Sequence, residues 1–463
     1  MRYLPLTPHE RDEILKTCKV NRFEDLIEQI PKDLQLGRPL KTEGPYSEED
    51  LVDHVHGLAQ KNKASNCTSF LGQGVYDHTW PRVIDQIINR GEFLTAYTPY
   101  QPEISQGTLQ MIFEYQSMLA SLTGMEVSNA SLYDGATSVV EGALMATRLQ
   151  GKKSGTLVVT EGTFERYQDV LKNYLEPLGF KFVIWKADSK SFSSRGSTLN
   201  APSLKTQYPD IVGVIAQSPN RWGIVEDWNE ISKSAKDLNT LSVAAVTHAL
   251  SLGIFQSPGE AGIDIVTGEA QSLGIPVGFG GPHLGLICCR KKDVRQIPGR
   301  LVGVTVDSQG RRAFCVTLAT REQHIRREKA TSNICSNQNL IALRAALFMS
   351  LMGPEGIKHL ATVSRDTAFG ARKILETKLP KTGALEILKS PSTFNEICLV
   401  SKKGSAEILK KFHKDCEKNN LLAGVFVDPP KDSNFDLGLS LAFTERHKKH
   451  HIELLSRVLE SVK

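Results

Sequence analysis

The sequence predicts an α/β protein in which a large domain built on a mostly parallel sheet is followed by a smaller α/β domain. From Gly124 onward, short runs rich in Val and Ile alternate with segments of helical periodicity. These runs are apolar throughout, without the alternation of a half-exposed strand, which is typical of parallel strands covered on both faces. The length of 463 residues exceeds that of one ordinary domain.

Residues 1–65 are predicted to form a separate N-terminal helical arm. Thr7, Pro8 and Glu10 have the arrangement of an N-cap, a proline at the first helical position and an early acid. A second helix is predicted to start at Ser47. Because the region has no strand pattern, we expect it to wrap a larger body.

Residues 66–338 are predicted to form the large domain. Its predicted helices cover residues 81–89, 107–122, 135–149 and 166–175. Its predicted strands cover residues 156–160, 180–185, 211–217, 241–247, 263–266 and 284–289. The charged stretch 295–338 is predicted to be irregular.

Residues 339–463 are predicted to form a linking helix and the small C-terminal domain. The apolar helix Asn339–Met352 is interrupted by Arg344, so it is not expected to span a membrane. The remaining helices are predicted over residues 357–376, 405–419 and 449–461, and the strands over residues 397–399, 424–427 and 437–442.

Composition argues against several classes of function. The formal net charge is only +5, and no basic stripe with interleaved aromatic residues suggests nucleic-acid binding. No apolar signal core follows Met1, so export is not expected. Eight cysteines without a CxxC pair indicate reduced thiols, and we expect a cytoplasmic protein.

The stretch Gly262–Gly285 contains the main candidate loop, with five glycines between Gly268 and Gly281. Backbone without Cβ atoms can approach a ligand or another chain closely. The sequence has no nucleophile elbow, Walker phosphate loop or dinucleotide glycine fingerprint. His283 lacks companion ligands at metal-binding spacing, which leaves a structural or a pocket-lining role.

Two other segments carry candidate site residues. The segment Asp134, Gly135, Ala136, Thr137 opens a predicted helix, where it could bind a phosphate or form an ordinary N-cap. A polar and aromatic loop precedes the helix that begins near residue 107, and its side chains could line a pocket or an interface. The candidates in that loop are Tyr97, Thr98, Tyr100, Gln101 and Gln106.

Together these motifs resemble the P-protein family of the glycine cleavage system, over the whole chain and most clearly over residues 65–355. The resemblance is carried by residues 96–107, Asp134–Thr137, Gly268–Pro276, Phe279–Pro282 and the charged motif Arg326–Gln338. The chain length matches the alpha chain of the two-chain form of this family.

The resemblance implies the type I fold of pyridoxal-phosphate (PLP) transferases and an oxidoreductase reaction, the oxidative decarboxylation of glycine. Carbon dioxide would be released, and the aminomethyl group would pass to the lipoyl group of H-protein. The implied partners are a beta subunit, H-protein and the T- and L-proteins of the same system. The Arg326–Gln338 motif is expected to bridge the two domains or, alternatively, to contact a partner at an interface.

The same resemblance implies that this chain contributes no catalytic residue of its own. Gln271 stands where the family's chemistry needs a Schiff-base lysine, and no Lys occurs between Lys236 and Lys291. Thr247 occupies the turn where the family has an Asp, and no His stands near Phe164. PLP is therefore expected on the beta subunit. Asp134, Gly135, Ala136, Thr137, Thr247, Gln271 and His283 would line a degenerate pocket.

The resemblance further implies that Tyr97, Thr98, Tyr100, Gln101 and Gln106 reach the site of the beta subunit. Two alternatives remain open at this stage. The chain could be a self-sufficient PLP enzyme that uses another lysine. It could also be a noncatalytic scaffold or regulatory subunit.

Overall fold

The computed structural model describes residues 6–186, 199–278, 280–380, 382–390, 392–431 and 433–462. Phe279, part of one motif above, lies outside the described residues. The chain divides into two compact units, Met1–Lys63 and Ala64–Lys463. The predicted boundaries at residues 65 and 338 stay predictions.

The first unit is helical where it is described, with helices Pro8–Thr17, Phe23–Leu26 and Glu48–Gln60. The predicted start at Thr7 is confirmed. The Thr7 hydroxyl accepts from the Glu10 amide, the Glu10 carboxylate accepts from the Thr7 amide, and Pro8 is the first helical residue. Ser47 likewise caps the third helix. None of these helices contains a buried residue.

The second unit contains a seven-stranded sheet that is mostly parallel, as predicted. Its spatial order is Val127–Ser128, Gly285–Cys289, Ile265–Glu269, Ser242–Val246, Ile211–Ser218, Gly155–Thr160 and Phe180–Trp185. Gly285–Cys289 pairs antiparallel with both of its neighbours, and the five strands from Ile265–Glu269 to Phe180–Trp185 are parallel to one another. A ligand in such a sheet typically lies beyond the carboxyl ends of the parallel strands.

Helices cover both faces of this sheet. Along the strand Gly155–Thr160, Val158 belongs to one apolar cluster, whereas its neighbours Leu157 and Val159 belong to another. In the part of the second unit that the structure describes, the helices are Val83–Ile88, Gly91–Leu94, Gln106–Thr123, Gly135–Leu149, Glu165–Leu175, Ala201–Gln207, Trp228–Asp237, Gln323–Arg326, Asn339–Thr377, Ala406–Lys418 and Lys449–Ser461.

A four-stranded antiparallel sheet forms the C-terminal part, in the order Leu385–Ile387, Glu396–Lys402, Phe435–Ala442 and Val425–Val427. It packs on the helices Ala406–Lys418 and Lys449–Ser461 around a third apolar cluster. Leu421–Leu422 pairs separately with Thr68–Ser69.

Three sequence expectations are corrected by the structure. The stretch predicted to be irregular contains a hairpin, Leu301–Val306 paired with Arg312–Thr317. The strand Leu385–Ile387 was not predicted. The strand expected at residues 263–266 is Ile265–Glu269, so Gly268 lies within the sheet and not in the loop. A Cβ at Gly268 would lie 1.9 Å from the Val246 carbonyl oxygen, so the close approach there is to a neighbouring strand.

The helix Asn339–Thr377 is bent at Gly353, which has a non-helical φ of 61° and is followed by Pro354. By length and composition alone it could cross a membrane, but many of its residues are buried in the core. Arg344 is itself buried. It donates to the Gly274 carbonyl at 2.5 Å and to the Asp85 carboxylate at 2.7 Å. The absence of a membrane span stays a prediction.

Candidate functional site

Gln271 lies in the turn after the strand Ile265–Glu269, and its side chain is fully engaged in hydrogen bonds. Its Nε2 donates to the carbonyl oxygens of Tyr76 at 3.0 Å and Ile275 at 2.7 Å. Its Oε1 accepts from the Tyr76 amide at 2.9 Å. The residue is only 1% exposed. The amide therefore clamps the backbone of another segment and has no group free to react.

Glu269 places a carboxylate at the start of the helix Gly135–Leu149. Its Oε2 accepts from the Gly135 amide at 3.0 Å, and its Oε1 accepts from the amides of Gln271 and Leu284, both at 3.0 Å. A helix N-terminus attracts anions because unpaired N–H groups and the helix dipole converge there. Here the anion is a buried side chain of the same chain.

The segment Asp134–Thr137 is also an N-cap. The Asp134 carboxylate accepts from the amide of Thr137 at 2.8 Å and from its hydroxyl at 3.0 Å. A Cβ at Gly135 would lie 2.1 Å from the Tyr167 hydroxyl and 2.9 Å from the Glu269 Cβ. The N-cap reading is confirmed, and the position that a Cβ on Gly135 would take is filled by Tyr167 and Glu269.

Next to Gln271, a row of buried polar rings leads to Glu445. The rings of Tyr76 and His248 lie 4.0 Å apart, and the Nε2 atoms of His248 and His78 are 3.1 Å apart. His78 Nδ1 is 2.8 Å from the Glu445 carboxylate. Burial, together with the neighbouring His78, holds the pKa of His248 well below its ordinary value, so this imidazole is neutral.

Burial opposes ionisation of Glu445, yet contacts with His78 and the Thr79 amide outweigh it and hold the pKa at about 2. The row therefore ends on a carboxylate.

Tyr76 also joins the large sheet to the small one. Its hydroxyl donates to Glu396 Oε2 at 3.2 Å and accepts from the Gly74 amide at 3.1 Å. Glu396 lies on the strand Glu396–Lys402 and accepts from the Gln73 amide at 2.7 Å. Burial raises the pKa of Glu396 to about 7.

A cavity of about 270 Å³ opens beside Glu269. It brings together four of the predicted pocket residues, Asp134, Gly135, Ala136 and His283. His283 Nδ1 lies 3.5 Å from Glu269 Oε2, and that contact raises the pKa of the imidazole. The other three predicted pocket residues, Thr137, Thr247 and Gln271, are not among the described residues that line this cavity. The Thr247 hydroxyl instead donates to the Pro219 carbonyl at 3.0 Å.

The predicted partner-facing loop lies elsewhere on the surface. Tyr97 is 82% and Tyr100 is 58% exposed. Gln101 is exposed and Thr98 is half-buried. Gln106 points inward, since its amide donates to the Phe314 carbonyl and accepts from the Phe314 amide, both at 2.9 Å. Gln106 therefore fixes the start of its helix against the unpredicted hairpin.

Sequence reasoning missed Glu269, Tyr76, His78, Glu396 and Glu445 as members of this site. One signal was present for Glu269, because a lone acid between Gly268 and Ala270 in an apolar stretch suggests a buried, paired charge. Tyr76 and Glu396 are joined by a contact across 320 positions of sequence. No local pattern reports such a contact.

The residues around Gln271 do not fit covalently held PLP. Such a site needs a lysine amine, an acid beside the pyridine nitrogen and free donors for the phosphate. Gln271 has no nucleophilic amine, and the Thr247 hydroxyl is neutral. The Glu269 carboxylate already occupies the Gly135 amide. No lysine occurs among the described residues that line the adjacent cavity.

Comparisons with known proteins agree over the whole chain. A family model described as "Glycine cleavage system P-protein" matches residues 1–459. A relative from Koribacter versatilis, named as a probable glycine dehydrogenase (decarboxylating) subunit 1, is 42% identical over 417 residues, covering 90% of this chain and 91% of that protein.

Solved structures show the same relationship. A crystal structure of glycine decarboxylase (P-protein) in inhibitor-bound form superposes with a TM-score of 0.83 at 36% identity, covering 100% of both chains. The Oryza sativa protein TDC, solved with PLP and tryptamine, superposes with a TM-score of 0.64 at 10% identity, covering 99% of this chain and 98% of that one. The fold is therefore that of the type I PLP-dependent enzymes, as expected.

Proposed function

The chain belongs to the glycine cleavage system P-protein family, and from this membership we propose that it is subunit 1 of a two-chain glycine dehydrogenase (decarboxylating). In this role it is the alpha-type subunit without a Schiff-base lysine, and a homologous beta-type subunit holds PLP. The complex oxidatively decarboxylates glycine, releases carbon dioxide and transfers the aminomethyl group to the lipoyl group of H-protein. The T- and L-proteins complete the system, which we place in the cytoplasm.

The observation that carries this proposal is the environment of Gln271. Its amide makes three hydrogen bonds, and two of them lock it to the backbone of Tyr76. The neighbouring Glu269 carboxylate accepts from the Gly135 amide, the first N–H group of the helix that could otherwise receive a phosphate. An inactive pocket on one chain of an enzyme is consistent with catalysis on a partner chain.

The exposed loop around residues 94–104 supports a partner interaction. Leu94, Tyr97, Tyr100 and Ile104 are between 51% and 82% exposed, which is unusual for large apolar side chains that lie so close in sequence. Aromatic residues on such a surface are typical anchors in protein interfaces. We propose that this loop contacts the beta-type subunit and completes its active site.

Purification of the two subunits separately and together tests this proposal. Each preparation is incubated with PLP, reduced with borohydride, desalted and analysed by mass spectrometry for a retained cofactor. We expect no covalent cofactor on this chain and stoichiometric labelling of the partner. Glycine-dependent release of carbon dioxide in the presence of H-protein should require both chains.

The alternatives give different results in the same experiment. Covalent PLP on a lysine of this chain, with decarboxylation by the chain alone, would identify a self-sufficient enzyme. Full decarboxylation by the partner alone, unchanged on addition of this chain, would identify a scaffold or regulatory subunit. Either result would refute the proposal.

A further inference from the structure

A second cavity, of about 490 Å³, shares no described lining residue with the cavity beside Glu269. It lies between the C-terminal turn of the helix Gly135–Leu149, the 3₁₀ turn Lys291–Gln296 and the segment 318–331. The last segment includes the first part of the charged motif singled out in the sequence, to which the proposed function gives no role.

The lining of this cavity is strongly basic. It includes four arginines and one lysine, and no Asp or Glu occurs among the described lining residues, which are Arg148, Arg295, Gln296, Leu318, Thr320, Arg321, Arg326, Lys329, Ala330 and Thr331. Five cations that line one partly open cavity repel each other unless an anion lies between them.

Two of these arginines, the buried Arg321 and the half-buried Arg148, are held by backbone carbonyl groups. Arg321 is 8% exposed and donates to the carbonyl oxygens of Leu318, Ile297 and Gly299. Arg148 donates to the Gln296 carbonyl at 3.1 Å. Its buried Nε has no hydrogen-bond partner among the described residues. Carbonyl groups orient a guanidinium but do not neutralise its charge.

The acids nearest to these arginines do not line the cavity. Glu141 lies beside Arg148, but burial raises the pKa of this carboxyl group and favours its neutral form. Glu322 follows Arg321 in sequence, and its Oε2 lies 3.7 Å from His324 Nδ1. Burial lowers the pKa of Arg148; the nearby Glu141 opposes this shift, and the positive charge of Arg321 adds to it, which indicates that Arg321 lies close enough to act on Arg148.

We propose that this cavity binds the phosphate group of a small molecule, held by the buried Arg321, the half-buried Arg148 and the exposed Arg326 and Lys329. Guanidinium groups match the oxygen geometry of a phosphate in a bidentate manner, and the lysine adds a point charge. A dianion matches a set of cations in which no carboxylate takes part. The ligand is either free phosphate or a phosphate monoester.

Calorimetric titration of the full chain in phosphate-free buffer at fixed ionic strength tests the proposal. The probes are inorganic phosphate, ribose 5-phosphate as a monoester, and sodium chloride as a screening control. Binding of phosphate but not of chloride is expected. Equal affinity for both phosphate probes identifies the free ion as the ligand, whereas tighter binding of the ester identifies a phosphorylated molecule.

The variants Arg326→Gln and Lys329→Gln remove exposed side chains and should leave the fold intact. Each is expected to weaken phosphate binding about tenfold, because a charge-assisted hydrogen bond contributes roughly that factor. The variant Lys205→Gln is the matched control, since Lys205 is exposed on the helix Ala201–Gln207, away from the lining residues. It should bind phosphate like the original chain.

Three results would overturn the proposal. The first is no heat of binding beyond that of chloride. The second is equal binding by the original chain and both cavity variants. The third is phosphate binding that disappears when the partner subunit is added, which would show that the cationic cavity receives acidic side chains of another protein.

Discussion

Replacement of Gln271 by lysine tests whether the missing amine alone separates this chain from a cofactor-binding one. A lysine could still donate to the carbonyl oxygens of Tyr76 and Ile275, but the Tyr76 amide would lose its acceptor. A buried donor without a partner costs about 1–3 kcal/mol, and burial of the ammonium group adds to that. We expect Gln271→Lys to lower the free energy of unfolding by roughly 3 kcal/mol and to gain no covalent PLP.

Gln116→Lys is the matched control for this variant. Gln116 is also buried and clamps the backbone of Val302 by a donated and an accepted hydrogen bond, both 3.0 Å long. Urea unfolding should give similar losses for both variants. Borohydride reduction after incubation with PLP should label neither. If the Gln271 variant were labelled almost stoichiometrically while the Gln116 variant was not, PLP would be able to bind at position 271 despite Glu269 and Tyr76. That result would refute the argument that these two residues exclude the cofactor.

Further predictions concern pH, packing and the exposed loop. Burial raises the pKa of Glu396 to about 7 from the ordinary 4.5, so between these two pH values the folded state keeps a proton that the unfolded chain loses. The free energy of unfolding should therefore fall by roughly 3 kcal/mol as the pH rises from 4.5 to about 7. Urea unfolding of Glu396→Gln at several pH values should lack that part of the decline. Gly135→Ala should destabilise by about 1–3 kcal/mol because its Cβ would overlap Tyr167, whereas Gly370→Ala, with open space around it, should not destabilise. Tyr97→Ala should leave unfolding unchanged but lower glycine decarboxylation with the partner about tenfold or more, and Tyr174→Ala, at another exposed tyrosine, should lower neither.

The sequence was informative about the sheet because its central strands are short, apolar and buried on both faces. Ile211–Ser218 and Ser242–Val246 are such strands. The hairpin Leu301–Val306 and Arg312–Thr317 was missed because much of it is exposed and its turn is charged. Leu385–Ile387 has three residues, too few to establish a period.

For the site, the sequence located Gln271 but not what surrounds it. The absence of an amine can be read from one position, whereas the acceptors of the Gln271 amide depend on a contact with Tyr76 across 195 positions. The role of Glu269 was equally hidden, since its partner Gly135 is 134 positions away. A single position identifies a lost group, and only the tertiary structure shows what has replaced it.

These replacements are connected, which explains why a pocket without its own chemistry keeps so many buried polar groups. The Glu269 carboxylate accepts from the backbone amides of Gly135 and Gln271. The Gln271 side chain donates to the Tyr76 carbonyl oxygen, and the Tyr76 hydroxyl donates to the Glu396 carboxylate. This chain of hydrogen bonds runs from the helix Gly135–Leu149, which packs on the large sheet, to the strand Glu396–Lys402 of the small sheet. A buried network is stable only when each member is paired, so loss of one member leaves its neighbours unsatisfied. Return of a cofactor to this chain would therefore require changes at several linked positions, and a single lysine would not be enough.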